Sequence, residues 1–161
     1  MSRGLGDVYK RQVLSGDKQH SIELEADENV YLRANPKELD SIFTNLVANA
    51  VNYTPEKGHI YIRWYADEAG AHYEVEDTGI GIASHHIPRL TERFYRVDVA
   101  RSRATGGSGL GLAIVKHAMQ QNQGKLRIES ELGRGSTFIC DFPTQLVVYK
   151  GTETNQKIGS A

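Results

Sequence analysis

Cysteine is almost missing from this chain: Cys140 is the only one in 161 residues. A lone cysteine builds neither an internal disulfide framework nor a multi-cysteine zinc site, and it fits a reducing compartment. Long apolar runs are missing too. None approaches the roughly 18 residues that would span a bilayer, and no charged, apolar, small-residue signal segment opens the chain, so no membrane contact is expected of it. Neither sign of charge is in excess. The 19 Lys+Arg against 20 Asp+Glu leave a net charge of -1, which excludes a globally basic nucleic-acid binder but says nothing about local patches. What is present, 39% hydrophobic and 24% charged residues, describes one globular domain. At this length a fold buries roughly 70% of the surface its unfolded chain exposes, so it needs no staple. The outlier is glycine, 16 residues where average usage is about 7%.

Periodicity sketches an order of elements. Residues 1–18 show none, and they read as a disordered leader or an assembly remnant outside the fold. Ser21 to Leu24 and Val30 to Leu32 are β-prone runs around a turn-like Ala26-Asp27-Glu28-Asn29, which predicts a small hairpin. Asn35-Pro36-Lys37-Glu38 marks a helix start, with Asn35 as cap, Pro36 in the first turn and Glu38 as the acidic half of a capping box. Leu39, Ile42, Phe43, Leu46, Val47 and Ala50 then make one apolar helical face. Paired strands are expected at Ile60 to Tyr65 and His72 to Glu76, and a short helix from Ile87 to Arg93. A second helix is expected from Leu110 to Met119, apolar at Leu112, Ile114, Val115 and Met119, and two last strands at Lys125 to Glu129 and Ser136 to Phe142. Residues 19–143 would form the domain and 144–161 a polar tail. The sum is an α+β, two-layer α/β sandwich, its mixed and mostly antiparallel sheet carrying helices on one face.

The residues suited to chemistry sit at the joints of this pattern. Asn45, Asn49 and Asn52 lie four and three apart on the first helix and so share one stripe. Asparagine is a poor helix former, and its carboxamide oxygen suits Mg²⁺; a plain polar helix edge is the alternative. Asp77-Thr78-Gly79-Ile80-Gly81 ends a strand with a carboxylate able to accept from an exocyclic amine, or is an ordinary turn. Gly106 to Leu112 is a glycine-rich loop running into a helix, so free N–H groups and the positive helix end converge where a phosphate would fit. It is neither a P-loop nor a dinucleotide fingerprint. Thr137 offers a hydroxyl near the base, or is simply a β-prone residue. Five of the eleven arginines fall between Arg89 and Arg103, interrupted by Phe94 and Tyr95, which suggests a cationic loop with an aromatic anchor or a solvated face.

Taken in order, NLVANAVNY at Asn45–Tyr53, DTGIG at Asp77–Gly81, RFYR at Arg93–Arg96, GSGLGL at Gly107–Leu112 and GRGSTF at Gly133–Phe138 resemble the N, G1, F, G2 and G3 boxes of sensor histidine kinases. The stretch from Glu92 to Met119 most resembles sensor kinases of the phosphate-starvation type. The resemblance implies the Bergerat ATP-binding fold and ATP and Mg²⁺ as ligands. It implies Asn49 as principal Mg²⁺ ligand with Asn45 its neighbour, Tyr53 against the adenine ring, and Asp77 on the adenine amino group. Gly79 and Gly81 would shape the base pocket, Phe94 would anchor a lid, and Gly107, Ser108, Gly109, Leu110 and Gly111 would meet phosphates. Arg96 and Arg101 would face the outer phosphates as catalytic partners of Asn49. Asn52 stands where many members carry a phosphate-directed lysine. The related gyrase, Hsp90 and MutL ATPases place a Glu four residues before the metal-binding Asn; that position here is Asn45, so water attack lacks its base.

The family's acceptor is a histidine followed by Asp or Glu on a separate dimerisation helix. None of the six histidines here precedes an acidic residue. The expectation is a catalytic fragment of a longer, membrane-anchored and homodimeric sensor. It would sit on the cytoplasmic side and act on a histidine-containing dimerisation domain, which passes phosphate to a response regulator. An anti-sigma-type serine kinase, a pure nucleotide-binding module and a hydrolysing ATPase relative remain as alternatives.

Overall fold

The computed structural model describes residues 20–95 and 110–150. Five strands form one sheet. In chain order they are β1 (Ser21–Ala26), β3 (His59–Asp67), β4 (Gly70–Asp77), β5 (Lys125–Glu131) and β6 (Gly135–Phe142), and their order across the sheet is β1-β3-β4-β6-β5. Only β1 and β3 run parallel; the other three pairings are antiparallel, as the sequence suggested. Helices α1 (Pro36–Tyr53) and α2 (Gly111–Gln121) pack on each other and reach the sheet through β4 and β5.

The sheet's alternation decides where the core lies. Ile60, Ile62 and Trp64 of β3, Ala71, Tyr73 and Val75 of β4, and Phe138, Cys140 and Phe142 of β6 are all buried two residues apart, so they share the face that α1 covers with Leu39, Ile42, Phe43 and Leu46. Phe43 lies 4.3 Å from the Tyr73 ring and 5.9 Å from Trp64, joining the two layers. The α1 start matches its signals: Asn35 Oδ1 accepts from the Lys37 amide at 2.8 Å, with proline in the first turn. Glu38 departs from the expected capping box and instead accepts from Asn122 Nδ2 at 3.3 Å, tying the start of α1 to the end of α2. On α2 the buried residues are Val115, Ala118 and Met119, whereas Ile114 is 43% exposed and not part of the apolar face assigned to it.

Three further expectations are corrected. β1 and β2 (Val30–Leu32) form no hairpin: β1 joins β3, and β2 pairs antiparallel with β7 (Val147–Tyr149). The Trp64 indole donates to the Val30 carbonyl at 3.0 Å and so fastens this small second sheet to the core. The polar tail expected from residue 144 opens with a 3-10 turn at Thr144–Leu146 and then β7, whose Val148 is 7% exposed. The short helix expected at Ile87–Arg93 is a 3-10 helix at Ser84–Arg89 followed by turns. The expected leader lies outside the described residues.

Candidate functional site

Four segments far apart in sequence meet at one end of the helical layer. On α1, Asn45, Asn49, Asn52 and Tyr53 are all half-buried on the stripe that their spacing predicts. Asn45 Nδ2 donates to the Ser41 carbonyl at 2.7 Å, which leaves its Oδ1 free to accept. A Cβ on Gly111 would sit 3.0 Å from that oxygen, so the first residue of α2 lies directly against the asparagine stripe. Among the described residues the Asn49 carboxamide meets no hydrogen-bond partner.

The other end of the stripe meets the loop after β4. A Cβ on Gly79 would stand 2.5 Å from the Tyr53 carbonyl, so only a bare backbone allows the end of α1 and this loop to approach so closely. Asp77 closes β4 with 4% exposure, and its Oδ1 accepts from the Gly79 amide at 2.9 Å. Burial raises its carboxyl above the usual range; the amides of Gly79 and Ser136 oppose that, while Glu76 adds to it. A buried carboxylate held by only two amides is suited to recognise a donor on a ligand.

Strand register then separates two residues that the sequence could not. Asp77 pairs with Ser136 and Glu76 with Thr137. Ser136 therefore stands on the Asp77 face, whereas Thr137 points to the opposite face, between Glu76 and Glu129. Thr137, the expected hydroxyl near the base, is thus replaced in that place by Ser136, which is 6% exposed. The parity that selects Ser136 comes from the ladder register with Asp77, which the sequence alone does not carry. A cavity of about 350 Å³ lies at this end of the sheet and takes in both faces, lined by Glu76, Glu129 and Thr137 as well as by Asp77, Ser130 and Ser136.

Phe94, the expected lid anchor, has φ of +64° and is 67% exposed. Tyr95 docks instead: its hydroxyl meets His86 Nδ1, and the Arg89 guanidinium lies 4.5 Å from its ring centre. Arg96, Arg101, Gly107, Ser108 and Gly109 lie outside the described residues; Leu110 and Gly111 are the part of the glycine loop that is placed.

Residues 34–146 match the family model of the histidine kinase-, DNA gyrase B- and HSP90-like ATPases. The chain belongs to that family. It is 56% identical over 136 residues to the phosphate regulon sensor protein PhoR of Pseudomonas aeruginosa, covering 84% of this chain and 31% of that protein. The same-named protein of Haemophilus influenzae is 41% identical over 156 residues, 97% of this chain and 37% of that one. The chain thus spans about a third of the length of these curated relatives. Among solved structures, the mycobacterial sensor histidine kinase MprB superposes with a TM-score of 0.75 at 24% identity, over 89% of this chain and 96% of that one, which identifies the fold. Within the family the chain is a catalytic ATP-binding domain of the sensor-kinase type, and its layered sheet and helices are the Bergerat sandwich. No helix among the described residues is long and apolar enough to cross a membrane.

Proposed function

We propose that this domain binds Mg-ATP and hands the γ-phosphoryl group to a histidine on a dimerisation domain of the parent protein, for relay to a response regulator. The observation that carries the reading is the convergence on α1: Gly111 lies against Asn45 while Gly79 lies against Tyr53, so one helix stripe joins the glycine loop to the buried Asp77. A nucleotide is the ligand that needs a base site and a phosphate site held at fixed separation.

In this reading Asp77 accepts the adenine amino group, Tyr53 borders the ring, and Gly79 and Gly81 admit it. Asn49 and Asn45 supply carboxamide oxygens to Mg²⁺, and their half-buried neutral oxygens fit a hard cation that also keeps waters and phosphate oxygens. A bound Mg²⁺ would supply neutralisation of phosphate charge. Gly107, Ser108, Gly109, Leu110 and Gly111 offer amides to the phosphates, Arg96 and Arg101 balance the charge that develops on transfer, and Phe94 belongs to the lid. The acceptor imidazole nitrogen forms the new P–N bond as the bond to the β-phosphate oxygen breaks and ADP leaves. The likeness to phosphate regulon sensor proteins supports a sensor of that kind as the parent; in this reading the parent is a homodimer and this domain lies in the cytoplasm.

Mixing the chain with a histidine-bearing dimerisation domain and γ-labelled ATP should give acid-labile, alkali-stable label on that domain. Asn49→Ala should abolish both the label and Mg²⁺-dependent ATP binding. Acid-stable label would point to a hydroxyl acceptor, and ATP binding without any transfer would leave a binding module.

A further inference from the structure

The Ser130 hydroxyl on β5 sits where three segments meet. Its Oγ lies 2.8 Å from the Ile82 amide, 3.0 Å from the Gly135 carbonyl and 2.7 Å from Ser136 Oγ. A serine hydroxyl has one proton and two lone pairs. The Ile82 amide can only donate and the Gly135 carbonyl can only accept, so the Ser130 proton goes to Gly135. It follows that Ser136 donates its own proton to Ser130. Ser136 is thereby left with lone pairs alone to present beside Asp77, with which it pairs across the ladder. The carboxylate of Asp77, when ionised, is likewise an acceptor.

The same junction fixes the loop after Asp77. Besides the Ile82 bond, the Gly133 amide donates to the Ile80 carbonyl at 2.9 Å. Gly81 has φ of +74°, and a Cβ there would fall 2.0 Å from the Glu131 carbonyl, so the loop is pressed against the β5–β6 hairpin.

We infer that Ser130 is a positioning residue that sets base specificity: by taking the Ser136 proton and the Ile82 amide together, it makes the pocket edge acceptor-only and selects a base that presents donors there. An adenine offers an amino group to such an edge. A guanine offers a carbonyl in that place, which two acceptors repel. This rests on the reading of Asp77 as the base contact.

The test compares wild type, Ser130→Ala, Ser130→Thr and Asp77→Asn in ADP and GDP affinity, with inorganic tripolyphosphate as a probe of the phosphate half alone. Ser130→Ala should narrow the ADP-over-GDP preference by roughly threefold to tenfold, the scale of one hydrogen bond, and should leave tripolyphosphate affinity unchanged. It should also speed hydrogen exchange of the Ile82 amide. Ser130→Thr, which keeps the hydroxyl, should restore preference and protection. Wild-type preference in Ser130→Ala would overturn the inference, and so would an equal loss of ADP and tripolyphosphate affinity, the mark of a merely structural residue. Should Asp77→Asn keep the full ADP preference, the base contact itself is misassigned and the inference falls with it.

Discussion

A single histidine on the far side of the sheet shows how much one side chain's surroundings decide. His72 is 6% exposed, and its ring sits between two carboxylates, Nδ1 2.7 Å from Asp141 and Nε2 2.8 Å from Asp67. Burial disfavours the imidazolium, but hydrogen bonds to Asp67 and Asp141 outweigh it and raise the pKa above the usual 6.5. Tyr65, whose ring is 5.0 Å away, Glu74 and Arg127 are the other polar groups of that neighbourhood. A histidine raised by folding stabilises the fold fully below its unfolded value and loses that contribution as pH rises through the folded one. The melting temperature of the nucleotide-free domain should therefore decline as pH climbs from 6.5 through that raised value, and His72→Gln should flatten the decline. Calorimetry across that range checks it; an unchanged slope in His72→Gln would assign the effect to another group. None of this was legible in the sequence, because Asp67, His72 and Asp141 meet only through the β3–β4 turn and the β4–β6 ladder. The same holds for Ser136 against Thr137. Thr137 was singled out for its hydroxyl close after Gly135, whereas ladder parity from Asp77 selects the serine.

At the scale of elements, what the sequence revealed depended on whether the signal was local. Helix α1 carried its own cap, proline and apolar stripe, and the structure repeats them from Pro36 to Tyr53. Strand partners are not local. β1 and β2 looked like a hairpin because they are neighbours in sequence, yet each finds a partner more than 30 residues away, where apolar faces must be covered. β7 was invisible for a related reason: three residues, Val147, Val148 and Tyr149, are too few to show alternation within a polar stretch. Its contribution is nonetheless considerable. Val148 is buried, the Lys150 amide donates to the Asn29 carbonyl at 2.8 Å, and the Arg33 amide donates to the Leu146 carbonyl at 2.8 Å. Removing this strand would leave β2 without a partner and expose the side of the core that Val30 and Leu32 close. A chain ended after Pro143 should therefore unfold at lower urea than one ended after Lys150, and Val148→Ala in the longer chain should cost about 2 kcal/mol. Equal midpoints for the two lengths would show that the domain does end at Pro143.

For the whole molecule, the arrangement of α1 bears on what happens to ATP when no acceptor is present. Hydrolysis needs a group near the γ-phosphate that can take a proton from water. The residue one turn before Asn49 is Asn45, and its Nδ2 is committed to the Ser41 carbonyl at 2.7 Å while its Oδ1 faces Gly111. A carboxamide is not basic in water, and this one is already oriented by its own helix, so under the proposed function ATP is held rather than cleaved. Binding without turnover has a thermodynamic signature. A ligand that binds only the folded state stabilises it by about 2.7 kcal/mol at a hundred times its dissociation constant, which in a domain of this size raises the melting temperature by roughly 5–15 °C. The chain alone should show that shift with Mg-ATP and yet release phosphate at no more than the background rate over the hours of the measurement. Steady phosphate release without an acceptor, abolished by Asn49→Ala, would mean that another group supplies the missing base and that the domain is an ATPase in its own right. A shift with no release leaves the bound γ-phosphoryl group available to a separate acceptor, as the proposed function requires.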